Sequence, residues 1–208
     1  MRISEDLARA IMVFVCVTIV FSALTYMALT PRPREQFFQI YVLGENRMAE
    51  RYYPDNNPNI SVWREVKWYG GVTNFMGAVQ YVVVKAKLGN STIMPPSERG
   101  STPSPAPVLL ESRRVLTHNE TWEFPFFWTI REVRSVGGTT ELVLLEVNGA
   151  LIGDRRVSAV GGRNFRIIFE LWTLDEESGN EVFGWRAGAE RRVAWLQVWF
   201  NTTSVRPS

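Results

Sequence analysis

The chain has 208 residues, 46% of them hydrophobic, with 23 Lys and Arg against 21 Asp and Glu for a formal net charge of +2. The basic residues are scattered and not clustered, which argues against a nucleic-acid-binding protein. A single histidine and a single cysteine exclude a disulfide framework within the chain, a Cys-based metal site and chemistry built on paired imidazoles.

Residues 10–29, AIMVFVCVTIVFSALTYMAL, carry no charge. At about 1.5 Å rise per residue, such a run matches the roughly 30 Å hydrocarbon core of a bilayer. Ser4, followed by Glu5 and Asp6, reads as a helix start, and Pro31 and Pro33 as its end. Tyr26 falls near the far interface. The run is long for a secretory signal and lacks an A-x-A cleavage site, so it reads as a signal anchor. The division expected is a cytoplasmic tail over 1–9, a transmembrane anchor over 10–29 and a short, Pro-stiffened linker over 30–36. An extracytoplasmic β-domain over 37–203 and a tail over 204–208 follow. Arg2 and Arg9 on one side balance Arg32 and Arg34 on the other, so the positive-inside rule is a draw. Four N-glycosylation tripeptides, at Asn59, Asn90, Asn119 and Asn201, tip the expected location of the large domain to the outside of the cell.

Beyond residue 30 the pattern alternates with period two. In 80–88, Val82, Val84, Ala86 and Leu88 oppose Tyr81, Val83, Lys85 and Lys87. In 163–172, Phe165, Ile167, Phe169 and Leu171 oppose Arg166, Ile168, Glu170 and Trp172. In 193–201, Leu196, Val198 and Phe200 oppose Trp195, Gln197 and Trp199. Further strands are expected at 37–43, 60–73, 109–117, 121–130 and 140–147. No helical period of useful length intervenes. Eight or so antiparallel strands predict an all-β, immunoglobulin-like sandwich, without the Cys–Trp–Cys hallmark of antibody domains. Segment 93–108, rich in Pro and Ser, reads as an exposed, partly polyproline-like loop. Segment 148–163, rich in Gly, reads as a hairpin or loose connector.

Candidate chemistry is sparse. His118 reads as a turn residue. The Asp175, Glu176 and Glu177 cluster reads as a polar hairpin turn, and 52–59 as a second oxygen-rich loop. No catalytic residue, metal site or cofactor is expected. The aromatic excess is the stronger signal. Trp63, Trp68, Trp122, Phe127, Trp128, Trp195 and Trp199 are candidate anchors of a contact surface, since Trp and Tyr are favoured at interfaces. Burial of these rings within the sandwich is the competing reading, and a carbohydrate platform a third.

The segment after the anchor carries Thr30-Pro31-Arg32-Pro33, then Phe37, Ile40, Tyr41, Leu43, Gly44, Tyr53 and Pro54. With Val72-Thr73-Asn74, the run from His118 to Glu123, and the aromatic ends at 169–172 and 195–200, it resembles the C-terminal extracytoplasmic part of the prokaryotic membrane-protein family known as domain of unknown function 1616. Members of that family commonly carry several membrane helices, where this chain has one. The resemblance implies an anchored β-domain and no reaction. The function expected is a non-catalytic, membrane-anchored accessory or scaffolding subunit of a cell-envelope or membrane assembly. Its partners would be the membrane, other proteins or copies of itself. The alternatives are an extracytoplasmic module binding glycans or a small solute, and a self-assembling surface or filament subunit.

Overall fold

The computed structural model describes residues 4–30, 35–188 and 190–203. Residues 1–3 of the expected tail, 31–34 of the expected linker and the tail at 204–208 lie outside the described residues. The chain divides into two compact units, Met1–Glu35 and Gln36–Ser208.

The first unit is one helix, α1 (Glu5–Leu29). It begins five residues before the apolar run, so residues 5–9 are helix and not tail. The Ser4 hydroxyl accepts the Leu7 N–H at 3.4 Å, and Glu5 and Asp6 sit at the positive end of the helix dipole. At the other end the Thr30 N–H and hydroxyl both donate to the Tyr26 carbonyl, at 2.9 and 2.7 Å. Thr18 and Thr25 return their hydroxyls to the carbonyls of Phe14 and Phe21, each at 2.8 Å. Their polar atoms are thus satisfied within the helix, as a hydrocarbon surrounding demands. α1 is long and apolar enough to cross a membrane.

The second unit is built from β1 (Phe38–Leu43), β2 (Asn59–Ser61), β3 (Glu65–Asn74), β4 (Gln80–Asn90), β5 (Val108–Leu116), β6 (Thr121–Val136), β7 (Thr139–Val147), β8 (Ala150–Ile152), β9 (Val157–Val160), β10 (Phe165–Leu174), β11 (Glu181–Phe183), β12 (Trp185–Ala187), β13 (Glu190–Arg192) and β14 (Trp195–Thr203). One sheet runs β1-β3-β6-β7-β8, with β9 also on β7. The other runs β2-β14-β10-β4-β5, with β11 also on β10. This is an immunoglobulin-like sandwich with an extra meander, β7 to β9, on the edge of the first sheet. The first strand is split: β1 pairs with β3, and β2 then crosses to lie beside β14. That β2–β14 pair is parallel, a departure from the all-antiparallel expectation. The reason is that β2 and β14 run the same way along one sheet edge, and no tight turn has to join them.

The face assignments drawn from alternation hold for β4 and β10, whose apolar sets are buried between the sheets. Trp68, Trp128, Phe126, Phe165, Phe169 and Phe200 fill the centre. Their rings meet at centroid distances of 4.7 Å (Trp128 and Phe200), 5.0 Å (Phe126 and Phe169) and 5.4 Å (Trp68 and Trp128). The outer face of β10 is also buried: Arg166, Ile168 and Glu170 are at most 3% exposed. They are covered because segment 93–108 is not the open loop expected. It folds back over the sheet, burying Ser104 and Ala106. The Ser104 N–H donates to Glu170 Oε1 at 2.7 Å, and its carbonyl accepts from Lys87 Nζ at 2.7 Å. The cover is made largely by backbone groups, which composition does not register.

Segment 148–163 forms β8 and β9, both returning along β7. The tight turn at Asn148 and Gly149 has φ of 48° and 84°, the geometry Asn-Gly pairs supply. Asn148 also stitches β6, accepting the Phe127 N–H at 2.8 Å and donating to the Pro125 carbonyl at 3.0 Å. Pro125 is tolerated mid-strand because β7 ends opposite Trp128, so on that side no partner strand needs its missing N–H.

Candidate functional site

Of the seven aromatics expected at a contact surface, Trp68, Trp122 and Trp128 are core residues, 0%, 9% and 1% exposed. They lie on the inward positions of β3 and β6 and cannot meet a partner. Trp195 is half-buried on β14. Trp63, Trp199 and Phe127 reach the surface. Trp63 is 53% exposed and Trp199 38%, while Phe127 is half-buried against Tyr69, ring to ring at 5.5 Å.

Trp63 occupies the turn between β2 and β3 with φ of +68°. A left-handed backbone is costly for a bulky residue, and such strain persists only where surrounding bonds hold it. Here the Trp63 N–H donates to the Ile130 carbonyl at 2.8 Å. The Arg131 guanidinium lies 4.6 Å from the Trp63 ring centroid, within cation–π range. Arg131 is aimed there by a bulge. Ile130 pairs with Leu145 and Glu132 with Leu144, leaving Arg131 as the extra residue. Its guanidinium is anchored by Glu146 of β7. Leu144, Glu132 and the 65%-exposed Leu151 complete a shallow groove of about 530 Å³ on the outer face of the first sheet.

The same face continues across β6 and β3. Arg47 lies 4.7 Å from the Tyr69 ring centroid and 3.5 Å from Glu123, which accepts the Tyr41 hydroxyl at 3.2 Å. Burial, helped by Glu123, raises the Tyr41 hydroxyl above its ordinary range. Trp63 and Tyr69 therefore each carry an arginine, and each of these arginines a carboxylate. A ring already capped by a guanidinium is a poor stacking platform for a sugar. Trp beside a fixed Arg is, by contrast, the composition of a protein-interface hot spot.

The remaining candidates have structural partners. His118 Nδ1 accepts the Gly77 N–H at 3.1 Å, joining two turns. Asp175 is held below the ordinary carboxylate range, first by the Ser178 hydroxyl, and pairs with Arg186. Among the described residues no group of three or more His, Cys, Asp or Glu could hold a metal ion. The four sequons differ sharply. Asn119 is exposed in a turn. Asn90 is buried, its Nδ2 given to the Ser158 carbonyl at 2.7 Å and its Oδ1 taken by Thr92 and Ile93. Asn201 Nδ2 donates to Asn59 Oδ1 at 3.1 Å, a side-chain rung across the parallel pair.

Sequence reasoning found Trp63 but missed Arg131, Glu146 and Leu151. One signal was present. The inward apolar positions of β6 run Phe126, Trp128, Ile130 and then the partly buried Val133, a break in parity that marks the bulge.

No family model matches the chain, and no curated relative matches it. Among solved structures, the CARDB domain of a Pyrococcus furiosus protein in complex with di-metal ions is 13% identical, with a TM-score of 0.40 over 84% of this chain and all of that one. The C-terminal domain of Wzt is 7% identical, with a TM-score of 0.37 over 84% of each chain. A β-glucosidase from Listeria innocua in complex with glucose is 6% identical, with a TM-score of 0.36, over 82% of this chain and 17% of the enzyme. At these values none of the three bears on function. The coordinates themselves define the class: a mostly β, immunoglobulin-like unit in a chain that also has one helix long and apolar enough to span a membrane.

Proposed function

We propose that this chain is a non-catalytic accessory subunit, anchored by α1, whose β-unit lies outside the cell and docks on a larger membrane or cell-envelope assembly. The observation that carries the reading is the Trp63 and Arg131 pair. A half-exposed tryptophan is held on a strained turn, and an arginine is delivered to it by a bulge and fixed by Glu146. A pre-ordered Trp/Arg cluster loses little side-chain freedom on binding, which is what an interface anchor needs. The resemblance to the extracytoplasmic part of the family of unknown function 1616 supports only the anchored β-unit of this reading. The occupant we assign to the groove is an exposed segment of a membrane-protein partner.

The test is site-specific photocrosslinking in native membranes, with a benzophenone side chain in place of Leu151, which lines the groove, and, as control, in place of the exposed Met94. A discrete crosslinked protein from position 151 alone supports the reading. No product at 151, or equal products at both positions, counts against it.

A further inference from the structure

The second sheet ends at β5, and among the described residues no strand pairs with its far side. Arg155 Nε donates to the Val108 carbonyl at 3.2 Å and Leu109 is a bulge residue, but from Leu110 to Leu116 the edge is open, a ready template for strand addition. The sequence of this edge is not neutral about what it can accept. Reading along VLLESRRVL, its outer face carries Glu111, Arg113 and Val115, while Leu109 falls at a bulge and is buried in the core. The three outer residues stand over the outer face of β4, with Glu111 opposite Lys85 and Arg113 opposite Val83. Val115 is 57% exposed, an apolar side chain with little cover.

Pairing two such edges antiparallel about a two-fold axis requires residues of like parity to face each other. With the axis at Ser112, Glu111 faces Arg113 of the second copy, and Arg113 faces its Glu111. Both outer-face pairs within the regular part of the edge are then complementary, and Val115 falls against the bulge at Leu109. Moving the axis one position to Glu111 sets glutamate against glutamate. Moving it to Arg113 or Arg114 sets arginine against arginine. Like charges directly opposite destabilise a sheet and opposite charges support it, so among axes from Glu111 to Arg114 the edge favours Ser112, and an axis at Leu110 would fall against the bulge. Lys85, 3.5 Å from Glu111 and 3.2 Å from Glu181, and Arg113, 3.2 Å from Glu181, already hold the charges of this face in place.

We propose that β5 is a self-recognition edge, through which two copies of this chain join their second sheets into one continuous sheet about an axis at Ser112. This surface lies on the opposite sheet from Trp63, so its failure would leave the docking reading above intact.

The experiment uses the full chain in mild detergent, in a Cys16→Ser background that removes its only thiol. Two facing residues at the axis of an antiparallel pair have Cα atoms about 4.5 or 5.5 Å apart, within disulfide reach. Ser112→Cys is expected to form a covalent dimer under mild oxidation, and Arg114→Cys, which faces Leu110 in this register, is not. Light scattering over a dilution series is expected to show that Glu111→Arg and Arg113→Glu each weaken the dimer by roughly tenfold or more. The double variant, Glu111→Arg with Arg113→Glu, restores opposite charges in every facing pair and is expected to recover it. Circular dichroism establishes that each variant is folded, and Ser112→Cys leaves the charges untouched should a reversal unfold the unit. A monomer at all concentrations overturns the proposal. So does a dimer indifferent to both reversals, as an anchor-mediated dimer would be, or equal crosslinking at 112 and 114.

Discussion

Lys87 and Glu170 form an ion pair at 2.8 Å, with side chains 5% and 0% exposed, beneath the cover made by residues 93–108. Glu170 accepts two further bonds, from the Ser104 N–H at 2.7 Å and from Trp172 Nε1 at 3.0 Å. Lys87 donates a second bond, to the Ser104 carbonyl at 2.7 Å. Lys87→Met leaves the carboxylate buried without its cation, and Glu170→Leu leaves the ammonium without its anion. Stranding one charge of such a pair costs about 3–5 kcal/mol. The double variant strands no charge. It leaves the buried Ser104 N–H and carbonyl, and the half-buried Trp172 Nε1, without these partners, and the two Ser104 groups together cost about 2–6 kcal/mol. Two single losses sum to about 6–10 kcal/mol, so the cycle predicts a coupling centred on about 4 kcal/mol. Urea unfolding of the full chain in detergent, followed by tryptophan fluorescence, measures all four corners. Additive losses, or single variants that each cost less than about 1 kcal/mol, would refute the account of the covered face as a satisfied buried network.

Other outcomes follow from single positions. Trp68→Ala removes the central ring of the core and is expected to cost about 3–5 kcal/mol, read from the same urea midpoints. Trp63→Ala, at the surface, is expected to cost less than about 1 kcal/mol while abolishing partner capture from native membranes. Gly184 has φ of +81°, and a Cβ there would lie 2.0 Å from the Arg192 carbonyl oxygen. Gly184→Ala is therefore expected to cost roughly 1–3 kcal/mol or more in a thermal melt. The Tyr53 hydroxyl, which donates to the Trp199 carbonyl, is pushed from 10.0 up to about 12 by burial, with Tyr52 adding to it. Below about pH 10 the hydroxyl is neutral in both states and the full contribution is present. Above that the unfolded chain ionises first, so stability falls until the folded hydroxyl ionises near 12. Tyr53→Phe is expected to flatten that fall in unfolding midpoints measured from about pH 9 to 12.

The alternation of β4, β10 and β14 was legible because period two survives wherever one face is buried and the other is polar. The helix was legible because twenty uncharged residues admit few alternatives. The Gly of the Tyr-x-Leu-Gly run also has a physical reason: a Cβ on Gly44 would lie 2.3 Å from the Glu50 carbonyl oxygen and 2.6 Å from that of Arg51. What could not be read was which aromatic faced out. Trp122 and Trp128 share a parity with the core set of β6, but a strand rich in aromatics on both parities hides its inward face. The Pro/Ser-rich segment looked exposed because its cover of β10 works through the Ser104 backbone and a buried ion pair. Neither has a signature in local composition. The split of the first strand into β1 and β2 was hidden for a related reason, because its parallel partner β14 lies more than a hundred residues away.

The central claim is that this chain works as a subunit docked on a larger membrane assembly. The most direct measurement is mild-detergent extraction of the native protein from its own membranes, followed by sizing and intact-particle mass spectrometry of wild type and Trp63→Ala side by side. The account predicts a reproducible particle containing at least one other protein in the wild type, and loss of that companion in the variant. A wild-type particle holding only this chain, or a companion retained unchanged in Trp63→Ala, would contradict it.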